Sequence, residues 1–340
     1  MLRAVSNPPN PWAASEVEYL DEVPEARLEV FEDHTRSILA ENDSPDLGFN
    51  FSVNPYRGCY HGCAYCYARP GHEYLSCGAG TDFERKIVVK PRAPELLREA
   101  FDKKSWRGEL VVFSGVTDCY QPLEASLRLT RGCLEVCAEY KNPVGIITKA
   151  PLIERDLDVL VRLHQVASLS VMMSVPFWDA DKARAIEPYV ATPQRRMKTL
   201  GRLAAAGIPV GVMVAPMIPG LSDEDAVQVL EAAAAAGARS AGSVFLRLPG
   251  SVKQVFEERV REALPLRADK ILRKVREARG GKLYDPRPFV RQRGDGPYAE
   301  SARALFESAC RRLGLNAEEH PPPRDTFCRP PKAGDQLSLI

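Results

Sequence analysis

The 340-residue chain has no stretch approaching the roughly 20 apolar residues needed to cross a bilayer, which excludes a helical membrane span. Its opening, MLRAVSNPPNPW, lacks the apolar run of a secretory signal, so the expectation is a cytoplasmic protein with no membrane partner. Excess charge is also missing. With 46 Lys and Arg against 45 Asp and Glu, net charge alone implies no polyanionic partner. No G-x-G-x-x-G opens a helix after the first strand candidate, so the dinucleotide-binding signature is absent.

Cysteine, by contrast, is plentiful. Nine cysteines without an export signal argue against a disulfide framework, because cytosolic thiols stay reduced and are free to bind metal, react or fill core space. Charge is balanced overall but unevenly placed. Residues 1–47 carry eleven acids against three bases, and residues 267–293 carry ten bases against three acids. Two readings fit: a solvated helix face with the two ends attracting each other, or a site for a nucleic acid or other polyanion.

Between residues 110 and 250, β-branched apolar runs alternate with helical patterns. Strands are predicted at Leu110–Ser114, Val144–Thr148, Leu169–Val175, Val210–Ala215 and Val244–Leu248, with helices at about 122–140, 152–166, 193–206 and 222–236. A recurrence every 30 to 35 residues fits βαβ units and a parallel sheet. Periodicity does not separate an α/β barrel, whole or partial, from a doubly wound open sheet. The domain reading is an acidic N-terminal extension over 1–47, a core over 48–255, and a basic helical extension with a Pro-rich tail over 256–340. One further helix is predicted at 297–313, and residues 318–336 read as extended.

The segment NPYRGCYHGCAYCYARPGHEYL, Asn54 to Leu75, spaces Cys59, Cys63 and Cys66 as C-x3-C-x2-C. Three thiolates within eight residues, with Gly58 and Gly62 letting the chain curl, can ligate three corners of a cuboidal iron–sulfur cluster from one loop. A fourth corner left open implies reactivity, as at catalytic zinc sites. A structural zinc site completed by His61 or His72 is the competing reading.

The spacing C-x3-C-x-aromatic-C, with Tyr65 before the third cysteine, resembles the signature of radical S-adenosylmethionine (SAM) enzymes. The wider segment, followed by DFE at 82–84 and the strand-like Lys86–Lys90, resembles a subgroup related to spore photoproduct lyase. The resemblance implies a partial (β/α)6 TIM-like barrel with N- and C-terminal extensions, its cluster loop following a first strand near Phe49–Asn54. It implies a [4Fe–4S] cluster on Cys59, Cys63 and Cys66, with SAM chelating the open iron. One electron from an external low-potential donor, such as flavodoxin or ferredoxin, then cleaves SAM to a 5′-deoxyadenosyl radical that abstracts hydrogen from a substrate.

Several residues gain expected roles from the same resemblance. Tyr65 lies against the adenine, and Gly115, Thr117 and Asp118 meet the methionine amino group after the first interior strand. Lys149 pairs with the carboxylate, and Ser170 or Ser174 bonds ribose or carboxylate. Ala215 and Pro216 begin an adenine-lining loop. Cys119 is a candidate hydrogen donor, three positions from where an alignment on Thr117–Asp118 would put one, and Tyr120 a candidate radical relay. Asp118 also reads as a helix cap, Lys149 as a solvated cation and the serines as satisfied barrel residues.

Cys133 and Cys137, four apart on a predicted helix, read as packing residues, and Cys77, Cys310 and Cys328 show no compact spacing. His164 reads as structural. Three functions follow: a radical SAM enzyme, a version of it that repairs or modifies nucleic acid, and a non-catalytic iron–sulfur or zinc module. No aromatic-rich reading surface accompanies the basic stretch.

Overall fold

Six parallel strands make the centre of the molecule, a computed structural model describing residues 27–317 and 323–331. In chain order the strands are β1 (Glu29–Glu32), β2 (Leu39–Glu41), β3 (Phe51–Val53), β4 (Tyr56–Arg57), β5 (Lys86–Val89), β6 (Val111–Phe113), β7 (Val144–Thr148), β8 (Leu169–Ser174), β9 (Val210–Met217) and β10 (Ser240–Phe245). The main sheet runs β10-β9-β8-β7-β6-β3-β2, parallel throughout except for antiparallel β2 on its edge. Among the described residues it does not close, and its sequential parallel order is that of the expected partial barrel. A second sheet, β1-β5-β4, carries the segment around the cysteine loop.

One face of the large sheet meets the helices. Val111, Phe113, Val144, Ile146, Val171, Met173, Val210, Val212 and Val214 are buried there. Burying each such side chain contributes about 1.5–3 kcal/mol. The helix Pro193–Ala205 shows how the covering layer is set: Thr192 caps it by accepting from Arg195 N, proline begins it, and Met197, Leu200 and Leu203 turn inward. The inner face is lined differently. A Cβ on Gly211 would stand 2.5 Å from Met172 Sδ, and one on Gly242 would stand 2.6 Å from Met213 Sδ. Glycine therefore makes room for the methionines of the neighbouring strand.

The last strand departs from expectation. It occupies Ser240–Phe245 rather than Val244–Leu248, because SAGS has weak strand propensity and is recruited by pairing with β9. The expected helix at 122–140 is two helices, Glu124–Leu127 and Leu129–Glu139, broken at Arg128 with φ of 54°. The described part of the acidic extension supplies β1 and β2, one to each sheet. Residues 1–26 lie outside the described residues, as do 318–322 and 332–340. Residues 323–331 are extended and bond to the main body, with Arg324 N donating to Ser168 Oγ at 2.8 Å and Cys328 N to Tyr140 O at 2.9 Å.

Much of the basic stretch is internally matched. Arg291 bonds Asp46 and Ser44, joining the basic stretch to the acidic segment, and Phe289 N donates to Asp46 at 2.7 Å. Arg267 pairs with Glu224 at 2.8 Å and Arg287 with Asp285 at 2.6 Å. Lys274 lies 4.5 Å from the Tyr298 ring centroid. Buried Arg279 donates to the carbonyls of Leu246, Val290 and Arg291. No helix among the described residues is long and apolar enough to cross a membrane.

Candidate active site

The loop after β3 and β4 is shaped by its backbone. Gly58 and Gly62 hold φ of 76° and 66°, the left-handed region open to glycine. Gly62 N donates to Cys59 O and Cys66 N to Cys63 O, so the three cysteines curl around one another. Beneath them lies Arg69, fully buried, whose guanidinium donates to the carbonyls of Gly62, Cys63, Ala79 and Gly80 and pairs with Glu84 at 2.6 Å. Arg69 and Glu84 lie within the motif segments 54–75 and 82–84, where no local pattern marks them as partners.

The thiols suit a cluster in donor chemistry and placement. Cys59 and Cys63 are buried, Cys66 is partly so, and all three are free. Burial, reinforced by Asp118, pushes the Cys59 thiol up to about 12. Burial and Glu187 push Cys63 up, while Lys149 pulls it down; burial raises Cys66 against Arg69 and Lys149. The metal-free loop thus favours thiols, and a cation or cluster is what turns them into thiolates. A zinc ion needs its ligands converging on one point, and no three His, Cys, Asp or Glu among the described residues do so. A cuboidal cluster takes one thiolate per iron. His72 Nε2 is engaged by Lys86 O at 2.8 Å, and His61 Nδ1 faces Asp118 at 3.5 Å.

Side chains at the carboxyl ends of β6 to β9 face this loop. Thr117 Oγ1 donates to Gly58 O at 2.7 Å. Gln121 Nε2 donates to the same carbonyl and to Thr117 Oγ1, and its Oε1 accepts from Tyr60 N. Asp118 accepts from Thr148 Oγ1 at 2.7 Å, Lys149 N at 2.8 Å and Tyr120 N at 2.9 Å. These bonds tie Asp118 to the turn that follows it and to the end of β7; it caps no helix, since the next one begins at Glu124 behind Leu123. Gly115, at φ 149°, follows Ser114 at φ 86°, and Val116 N beyond them donates to Asn54 Oδ1.

Lys149 Nζ donates to Ser174 Oγ at 2.6 Å, and Ser174 Oγ donates to Ala215 O at 3.1 Å, a chain across β7, β8 and β9. Lys149 is therefore no freely solvated cation. Ala215 and Pro216 lie inside β9 rather than after it, joined by a cis peptide. Tyr65 is buried, its hydroxyl bonded to Glu187, and Lys149 Nζ stands 5.8 Å from its ring centroid. Glu187 also pairs with Arg196 and lies 3.8 Å from Lys149. Burial pushes Glu187 up, but Arg196 and Lys149 outweigh it and hold the carboxyl below its ordinary range. Burial and Glu187 push the Tyr65 hydroxyl well up. Glu187 and Arg196 carried no local motif, and nothing in the sequence pattern flagged them.

Three expected residues stand apart. Ser170 shares a face with Ser174 but sits four residues earlier, near the amino end of β8, and is exposed; at about 3.3 Å per residue that is roughly 13 Å away. Cys119 is fully buried in the main core, its carbonyl accepting from Thr130 Oγ1 at 2.6 Å. Tyr120 is buried in that core too. The helix-side core, not the face of the site, is where these two candidates for hydrogen transfer lie. Cys133 and Cys137 also pack in the main core.

Residues 53–233 match the model of the radical SAM superfamily. The chain is 35% identical over 282 residues to an uncharacterized protein of Mycobacterium tuberculosis, covering 82% of this chain and 79% of that one. It is 29% identical over 176 residues to an uncharacterized protein of Methanocaldococcus jannaschii, 52% of this chain and 63% of that one. In fold it is similar to spore photoproduct lyase. A tyrosine-to-phenylalanine variant of that enzyme superposes with a TM-score of 0.62 at 14% identity, covering 88% and 86% of the two chains. The complex with dinucleoside spore photoproduct gives 0.59 at 17% identity, covering 84% and 78%. A family model spanning more than half of the chain and a relative aligned over four fifths of it agree with the cysteine loop: the chain belongs to the radical SAM superfamily.

Proposed function

We propose that this chain is a radical SAM enzyme that carries a [4Fe–4S] cluster on Cys59, Cys63 and Cys66 and binds SAM against the carboxyl ends of β6 to β9. When bound, cluster and SAM together supply a 5′-deoxyadenosyl radical able to abstract hydrogen. What chiefly supports the reading is the convergence of Tyr65, Lys149, Glu187 and Ser174 beside the three thiols.

Each has work suited to a zwitterionic, adenine-bearing ligand. Lys149 offers an ammonium held in place by Ser174, a point charge for a carboxylate. Tyr65 offers an aromatic face whose tilt Glu187 fixes through the hydroxyl. The Asp118 carboxylate, with about four acceptor sites of which three are filled internally, keeps capacity for an amino group at the strand end beside Gly115, and Ala215 and Pro216 offer backbone and apolar surface. An external low-potential donor such as flavodoxin or ferredoxin supplies the electron.

Anaerobic reconstitution tests this. The expected product is a brown protein that releases 5′-deoxyadenosine from SAM with a strong reductant, a yield abolished in Cys63→Ala. A brown wild type that never forms 5′-deoxyadenosine leaves a non-catalytic iron–sulfur module.

A second reading, action on a nucleic acid, is favoured by likeness of fold to a lyase solved with dinucleoside spore photoproduct. The pairing of Arg267, Arg287 and Arg291 within the chain weakens the case for the basic stretch as its docking surface. Salt-dependent binding of DNA or RNA, lost on charge reversal at Arg273, Lys274 and Arg276, would support it; no binding at low salt would remove it.

A further inference from the structure

Arg247 lies two residues past the end of β10, at the end of the barrel where Lys149 and Ser174 also lie. Its guanidinium carbon stands 5.1 Å from the ring centroid of Tyr67, the residue immediately after Cys66. Tyr67 itself is 48% exposed. The Nε of Arg247 is buried and has no hydrogen-bond partner, and Asp46, already paired with Arg291, acts on it only through space.

Its neighbours differ. Arg291 has Asp46, Arg287 has Asp285, and Arg279 has three carbonyls. Those three guanidiniums are held by hydrogen-bonded partners, whereas among the described residues Arg247 feels the Asp46 carboxylate only through space and touches the aromatic face of Tyr67. A buried donor without a partner is rare in folded proteins and calls for one from outside. Stacking leaves a guanidinium's in-plane N–H groups pointing past the ring edge, the geometry that takes two oxygens of one anion at once.

We infer that Arg247, stacked on Tyr67, is the anchor for an oxyanion, a phosphate or a carboxylate, carried by the substrate. The inference rests on the reading of the cysteine loop and strand ends as the reaction site. It adds a substrate class: an anionic molecule, with its charged group one side chain away from a cluster ligand. Lys149, already bonded to Ser174 and near Glu187, is not the free cation here.

The test uses the full chain and two probes, inorganic phosphate and acetate, followed by ligand-detected NMR titration. Wild type should bind one of them saturably. Arg247→Gln should weaken that binding about tenfold or more, the loss of a charged two-point contact. Arg287→Gln, removing a cation already paired, should change it by less than about twofold. Arg247→Lys keeps the charge without the fork and should fall between, which also serves if the glutamine variant folds poorly. Tighter phosphate marks a phosphate ester as substrate, and tighter acetate a carboxylic acid. Equal losses in the Arg247 and Arg287 variants, or no saturable binding of either anion by wild type, would overturn the assignment. Iron uptake by the same preparation is read separately, so a chain that binds the anion but takes no iron fails the cluster reading and not this one.

Discussion

Backbone carbonyls do the holding in the cysteine loop, where Arg69 alone gathers those of Gly62, Cys63, Ala79 and Gly80. Across the site, side chains hold side chains: Tyr65 and Arg196 on Glu187, Lys149 on Ser174, Thr148 on Asp118. The first arrangement is indifferent to most side chains in the loop and leaves the three thiols unengaged by any disulfide. The second depends on each charge being present, so it can respond to a ligand that brings charges of its own. Rigidity is thus placed under the cysteine loop, and adjustability around the charged side chains at the strand ends.

The largest effect should come from Arg69→Leu. It removes the carbonyl clamp and leaves Glu84 buried without its cation, and should cost about 3–5 kcal/mol in denaturant unfolding together with most of the iron taken up per chain. A loss under about 1 kcal/mol would break the comparison, because the loop would then be held by something else.

Glu187→Gln comes next. Arg196 keeps bonds to the carbonyls of Ala191 and Ser174, so the expected cost is smaller, about 2–3 kcal/mol. Under the proposed function SAM binding should weaken about tenfold while iron content holds. Iron lost in parallel with SAM would mean that the two regions are not separately held.

Gln121 links them, tying Gly58 O and Tyr60 N to Thr117 at the strand end. Gln121→Leu should cost about 1–2 kcal/mol. Its sharper signature is faster hydrogen exchange at the amides of residues 58–63 with little change in β7 or β8.

The smallest effect lies further out, at Glu154. Burial pushes its carboxyl up, but Arg195, Thr199 and Arg202 outweigh that and hold it at about 2. Because the folded value is depressed, its contribution is complete above the ordinary carboxylate range and is lost as the pH falls toward 2. The stability difference between wild type and Glu154→Gln should therefore be flat from pH 7 to 5 and shrink between pH 4 and 2. A difference that grows on acidification contradicts the sign.

Local information was legible and distant pairing was not. Val144–Thr148 appears with the predicted bounds because a β-branched run buried on both faces announces itself. The cysteine loop was equally plain, since its chemistry lies within eight residues. Arg69 and Glu84 were in view, yet an ion pair spanning fifteen positions has no periodic mark. Glu187 meets Tyr65 across 122 positions, and only the fold brings them together. Alternation put Ser170 and Ser174 on one face; what it leaves out is how far along the strand each sits. Cys119 drew notice by its chemistry, and the core claimed it for its size and polarity.

The short antiparallel strand β2 bears on how this protein can be handled. It pairs with β3, the strand that leads into the cysteine loop, through Leu39, Ala40 and Glu41. Cutting the chain at residue 48, where composition suggests a boundary, would bare the unpaired N–H and C=O groups of β3 to other copies of itself. A shortened version should accordingly collect in inclusion bodies before any question about its iron can be asked, and expression trials should start upstream of Leu39.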